Sequence, residues 1–323
     1  MRKKRLRKSN ILFILVFFTG LLFSMTTYAW FSANEIMEIE SFDFQVATKG
    51  GIEISADGID FKGVIGMKDF LEAENTYRNN ENQMPNYIRP VSTTGFIENG
   101  KLKMFYGEVN IEDDLVLKAK RSKEEKGIGE KSQGDFVAFD IFLRVREDKN
   151  ISLANTSGVT YGKEESGIAN AFRIAFINEG TVPIEASKYE IQSLNRGYSS
   201  LIWELNTDSH TEKGIKHAKE VYNIDTSDKG ERIPYYGIRE EIPESKKVKV
   251  KEANSKIYPQ YFSLVNPQIA TIKNYQGNQP FLRLRRGITK IRVYVYIEGQ
   301  DVDCEDGASF GNLIINLEMV ANR

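Results

Sequence analysis

Asp301-Val302-Asp303-Cys304-Glu305-Asp306-Gly307 concentrates groups that could hold a cation. Alternating carboxylates followed by Gly match the start of a calcium loop, where hard oxygen ligands converge on one ion. An EF-hand needs Glu at the twelfth position and this run has Asn312 there, so a complete EF-hand is excluded. Asp301, Asp303, Glu305 and Asp306 are therefore candidates for a looser calcium site, set against the plainer reading of a solvated acidic turn. The same carboxylates surround Cys304, the one cysteine, and would raise its pKa. A reactive thiol needs basic neighbours, so Cys304 is expected to be a small buried or turn residue.

Other reaction chemistries find little support. His210 and His217 are the two histidines, and a separation of seven is neither the i, i+4 spacing of a helical zinc pair nor part of a Cys-His cluster. Neither a Gly-x-Ser-x-Gly elbow nor a Ser-x-x-Lys element occurs at a strand-to-helix turn, and Gly127-Ile128-Gly129 lacks the remainder of a nucleotide fingerprint. No catalytic or cofactor-binding residue is assigned and no cofactor is expected. Two carboxylates on a sandwich would suffice for a glycoside hydrolase, a pairing that no spacing rule reveals. Trp203-Glu204 and Tyr235-Tyr236 could line a sugar-binding groove, although aromatics within apolar strands commonly belong to the core.

The elements that would position these residues read mainly as strands. Apolar side chains recur at every second position from Phe42 to Val46, and Ile52 and Ile54 lead to Ile59 and Phe61 across Ala56-Asp57-Gly58, a hairpin signal because Asp-Gly accepts positive φ. Phe139, Ile141, Leu143 and Val145 have the period of a strand with one buried face, and Phe172–Ile177 is a shorter strand. Near the C-terminus Leu282 and Leu284 lead to Ile291, Val293, Val295 and Ile297, then to Leu313, Ile315, Leu317 and Met319. The last two strands are expected to pair, with Gly299–Gly311 as an exposed loop. Helix is expected at Lys68–Tyr77, through Phe70, Leu71, Ala73 and Tyr77, with a stop at Asn79-Asn80; Thr211–Tyr222 is a weaker candidate. Lys118–Gln133 and Glu240–Glu252 read as charged linkers, the first as a hairpin tip. Within the second, the alternating Lys247-Val248-Lys249-Val250-Lys251 reads as an edge strand protected from sticking, ahead of a polyanion contact. Together these features predict an all-β, mainly antiparallel, jelly-roll-like β-sandwich with short helices. It would span 32–323 as a single domain with a long insertion at about 178–280.

The chain has 323 residues, of which 41% are hydrophobic and 28% charged, an ordinary globular balance. Six of its 44 basic residues lie in Arg2–Lys8; the remaining 38 face 45 Asp and Glu, a net of −7. That balance argues against nucleic acid or anionic lipid as the main partner. The basic cluster runs into an apolar stretch, Ile11–Phe23, and then Thr27-Tyr28-Ala29-Trp30-Phe31, the order of an export signal with cleavage after Ala29. Left uncut, the apolar run to Phe31 gives about 21 residues, roughly 31 Å of helix, enough to anchor the chain in a bilayer. In both cases residues 1–31 form an apolar signal or anchor helix, and the body is expected outside the cell or at its surface.

Thr26-Thr27-Tyr28-Ala29-Trp30-Phe31-Ser32 resembles the end of the signal in the TasA and camelysin group of Gram-positive surface proteins, where Thr-x-Ala followed by an aromatic and Phe precedes the mature chain. The resemblance covers about fifteen residues. It implies cutting by a SipW-type signal peptidase, a jelly-roll body, and a non-enzymatic role in the cell surface or the extracellular matrix of a biofilm. It also implies self-association through Ser32–Glu40 as a donor strand, with Ile36, Met37 and Ile39 supplying side chains. The alternative is that these residues form an intramolecular first strand. A surface binding module for a glycan or protein ligand and, less favoured, a carboxylate-based glycoside hydrolase are the rival functions.

Overall fold

The alternation of apolar and polar residues becomes strand in the computed structural model of the protein, which describes residues 37–110, 115–161, 168–197, 199–204, 210–219, 233–266, 268–269, 280, 282–304 and 310–321. The expected signal or anchor helix at 1–31 and the cleavage residues Thr27 to Phe31 lie outside the described residues. Among those described, no helix is long and apolar enough to cross a membrane.

Strands are numbered in chain order. Among the described residues, seven form a first sheet, in the order β19 (Leu282–Leu284), β11 (Lys149–Leu153), β21 (Phe310–Ala321), β1 (Met37–Lys49), β3 (Val64–Gly66), with β12 (Gly158–Tyr161) also on β21 and β5 (Tyr87–Ile88) on β1. Eight form a second sheet, in the order β18 (Gln268–Ile269), β14 (Ser200–Glu204), β13 (Phe172–Val182), β20 (Gly287–Ile297), β10 (Val137–Val145), β4 (Gln83–Pro85), β9 (Gly127–Gly129), with β2 (Ile52–Ser55) on β10. The sheets share one apolar core: Phe44, Val46, Leu313 and Leu317 of the first meet Phe139, Ile141, Ile174 and Val293 of the second. Phe44 packs edge-on to Phe139 with ring centroids 4.5 Å apart. The protein is thus mostly β, with two sheets packed face to face.

A further β layer covers the outer face of the second sheet. It consists of β6 (Ser92–Glu98), β7 (Lys101–Asn110), β8 (Val116–Arg121) and β16 (Val248–Lys249) in one sheet, and of β15 (Tyr235–Ile238) paired with β17 (Phe262–Val265). Leu102, Met104, Tyr235 and Val265 from this layer pack on Ala138, Ala175, Tyr294 and Tyr296. It draws on 92–121 as well as on the segment 178–280 read as an insertion, and β14, β18 and the end of β13 from that segment belong to the second sheet itself.

Several expectations need correction. β20 and β21 do not pair: β20 lies between β10 and β13, and β21 between β1 and the strands β11 and β12. Their inward faces meet across the core, which alternation alone cannot distinguish from pairing. β10 has both faces buried because the further layer covers its outer side. Lys118–Gln133 is no linker, since β8 runs to Arg121 and β9 pairs with β4. Gly58 has the positive φ expected of Asp-Gly, yet the hairpin is wide: Ile54 bridges Lys62, and Ile59 is exposed. The Asp57 carboxylate stretches this loop by accepting from Ile59 N, Asp60 N and the Thr76 hydroxyl.

Helix α1 (Met67–Thr76) fits its expectation and buries Phe70 and Ala73, although Leu71 faces out. After α2 (Lys188–Gln192), α3 (Glu212–His217) starts at a Thr211 cap that accepts from Gly214 N. Of Lys247–Lys251, expected as an edge strand, only Val248–Lys249 is strand (β16, at the edge of its sheet), and the chain then turns into a 3₁₀ helix at Val250–Glu252; Val248 and Val250 fill a core within the further layer with Phe105, Leu117, Tyr236 and Phe262.

Candidate functional site

The outer face of the second sheet is apolar where the further layer sits and charged at two places. The first is an interior cluster near the end of β20. Arg173 on β13 has no exposed side-chain surface; it donates to Glu204 on β14 at 3.1 Å, to Asp301, and to the carbonyls of Asn170 and Phe172. His210 Nδ1 donates to Asp303, and its Nε2 lies 3.8 Å from Glu204 Oε1. Asp303 also accepts from the backbone N and hydroxyl of Thr211, which ties α3 to the segment after β20.

Asp301 and Asp303 are therefore interior ion-pair partners, and the reading of a solvated acidic turn is corrected for both. Gln300 and Val302 are buried with them, so the expected exposed loop is interior as far as Cys304; Glu305 and Asp306 lie outside the described residues. Among the described residues no group of three or more His, Cys, Asp or Glu side chains could hold a metal ion. Cys304 is a buried free thiol. Trp203, Tyr235 and Tyr236 are buried as core aromatics, so they line no groove.

Burial dominates the electrostatics of the cluster. It raises Glu204, and the attraction of Arg173 offsets only part of the effect. Glu298, which accepts from Gln300 N and Thr93 N, is pushed up to about 8 mainly by burial. For His210 burial acts downward but is outweighed by the hydrogen bond and charge of Asp303, then by Asp301 and Glu204, so its pKa is raised.

The second place is an open polar cleft of ≈ 180 Å³ beside the further layer. Its floor is Asp140 on β10 with Lys290 and Arg292 on β20. Asp140 accepts from Arg292 at 3.0 Å and from the Tyr77 hydroxyl at 2.8 Å, and lies 3.2 Å from Lys290 Nζ. Burial would raise the Asp140 carboxyl, but Lys290 and Arg292 outweigh it and hold its pKa low. Glu179 behaves oppositely: burial raises it, opposed by a hydrogen bond from Gly197 N. The ladder from β13 to β20 shifts between Asn178 and Gly180, which makes Glu179 the extra residue of a bulge on the cleft wall.

The opposite rim is the turn Asn99-Gly100 between β6 and β7, with φ of 53° and 76°. Two consecutive positive φ values are those of a type I′ hairpin, for which Asn-Gly is the preferred pair. Asn99-Gly100, outside the sequence-based expectations, is the local signal that places the rim. A Cβ at Gly100 would come within 2.0 Å of Asn195 Oδ1 on the facing wall. Gly100→Ala is therefore expected to lower stability by about 1–3 kcal/mol, read as a fall in the urea midpoint; an unchanged midpoint would contradict this turn geometry.

Compared with protein-family models, with characterised proteins and with solved structures, the chain matches none.

Proposed function

We propose that this chain is an exported, non-enzymatic component of the cell surface or extracellular matrix, cut by a SipW-type signal peptidase after Ala29 or held in the membrane by Ile11–Phe31. The proposal includes a jelly-roll-like connectivity for the two sheets, as the resemblance to the TasA and camelysin group implies.

The observation that supports it most is how the residues following the export segment join the sheet. Met37 and Glu38 pair antiparallel with Ile88 and Tyr87 on one side, while Glu38 and Ile39 pair parallel with Phe310 and Gly311 on the other. Ile39 N donates to Asn86 O, and the Ile39 side chain enters the core. A register shift between Ile39 and Ser41 separates this short arm from the rest of β1. Within one chain the arm serves as the intramolecular first strand; Ser32–Ile36 lie outside the described residues. The same groove, between β5 and the start of β21, accepts the arm of a second copy with identical hydrogen bonds, and a head-to-tail contact of that kind extends into a filament.

Sedimentation and electron microscopy of the form beginning at Trp30 test the assembly. Concentration-dependent oligomers or fibres are expected, with monomers after deletion of Ser32–Glu40. A chain that stays monomeric at high concentration, with or without the deletion, removes the assembly. Turnover of a polysaccharide abolished by Glu179→Gln would overturn the non-enzymatic reading.

A further inference from the structure

We propose that the cleft over Asp140, Lys290 and Arg292, rimmed by Asn99-Gly100 and Asn195, is a binding site for a neutral polyhydroxylated ligand, a single sugar ring of a glycan, held by Glu179, Asn195 and Asn79. This site is separate from the strand groove of the assembly and does not depend on it.

The charge balance of the cleft favours a neutral ligand. The cations of the cleft are already matched by protein acceptors. Arg292 is enclosed by Asp140, Glu124, the Glu81 carbonyl and the Tyr294 hydroxyl. Lys290 Nζ donates to the Leu194 carbonyl and faces Asp140, and Lys101 lies 2.7 Å from Glu81 and 3.8 Å from Glu124. A phosphate or carboxylate would have to break these pairs, leaving buried charges without partners. A neutral ligand leaves the floor intact.

The walls suit hydroxyl groups. Among the described lining residues Leu194 is the one apolar side chain, so a hydrophobic ligand would gain little. Among the described residues the side-chain amides of Asn79, Asn99 and Asn195 have no hydrogen-bond partner. Amides donate and accept at once, as sugar hydroxyls do. Glu179, almost fully buried, adds a carboxyl oriented by Gly197 N.

The size and rigidity of the cleft match one ring. A volume of ≈ 180 Å³ corresponds to roughly six waters at about 30 Å³ each, the scale of one ring with its hydroxyls. Both walls are fixed before any ligand arrives, one by the type I′ turn and the other by the bulge at Glu179, so little ordering entropy opposes binding.

The full chain, in a zwitterionic detergent without a sugar headgroup, is titrated by calorimetry with glucose, galactose, N-acetylglucosamine and their β-linked trimers, with inorganic phosphate and glutamate as charged comparators. At least one neutral saccharide is expected to saturate the chain one to one, with Kd at least tenfold weaker in Asn195→Ala and in Glu179→Gln. Asn195 is exposed, so its variant keeps the wild-type melting temperature even if Glu179→Gln does not. No saturation by any saccharide, phosphate or glutamate binding in their place, or equal saccharide affinity in wild type and both variants would each overturn the proposal.

Discussion

Replacing Arg173 with Met is expected to lower stability by about 3–5 kcal/mol at neutral pH, because it strands Glu204 and Asp301 inside the protein without their cation. That is a large share of the roughly 5–15 kcal/mol that separates a native domain from its unfolded state. The loss comes from uncompensated buried charge rather than from missing volume, since Met fills much of the same space. Arg173→Met combined with Glu204→Gln and Asp301→Asn removes both stranded charges and is therefore expected to recover more than half of the loss. Urea unfolding of the three proteins decides it. A fall of under 1 kcal/mol in the single variant, or no recovery in the triple variant, would show that the cluster does not hold β13, β14 and the segment after β20 together.

Stability should also decline as pH rises from about 5 to about 8.5. Glu298 titrates near 8 in the fold, against 4.5 as its ordinary value. Between those two pH values the fold binds more protons than the unfolded chain, so stability falls with rising pH, by up to about 1.4 kcal/mol per pH unit for this one carboxyl. Above 8 the effect levels off. Burial raises Glu204 in the same direction. His210, also raised, contributes stability that is fully present below 6.5 and is lost as pH climbs through its folded pKa. Asp140 opposes none of this: its pKa is lowered, so its contribution is present above 3.8 and disappears only in stronger acid. The urea midpoint should accordingly be higher at pH 5.5 than at pH 8.5, and Glu298→Gln should flatten much of the difference. A midpoint that is constant or rises across this range would contradict the buried-acid account.

How much of this was readable in the sequence depended on the range of the interactions involved. Period-two alternation marked β1, β10, β13, β20 and β21, because each sends alternate residues into one core. It could not say which of them are neighbours: β20 and β21 follow each other in the chain yet sit in opposite sheets. Nor could it say that β10 is covered on both sides, since the cover comes from 92–121 and 235–265, remote in sequence. The same distance hid the candidate sites. Asp301 and Asp303 read as solvated because the residues that bury them, Arg173, Glu204 and His210, lie roughly a hundred positions away. In the cleft, Asp140 and Arg292 were visible only as polar residues on the solvent phase of their strands; the register Asp140↔Arg292 makes them partners. Asn99-Gly100 carried a local signal and was legible in principle.

Export is the premise of the functional reading, and the form of the protein found outside the cell tests it most directly. Mass determination of the polypeptide in culture medium and in protease-accessible surface fractions should show a chain beginning at Trp30, or the full chain with its body open to external protease. Recovery of the intact 323-residue chain only among soluble cytosolic proteins would contradict it.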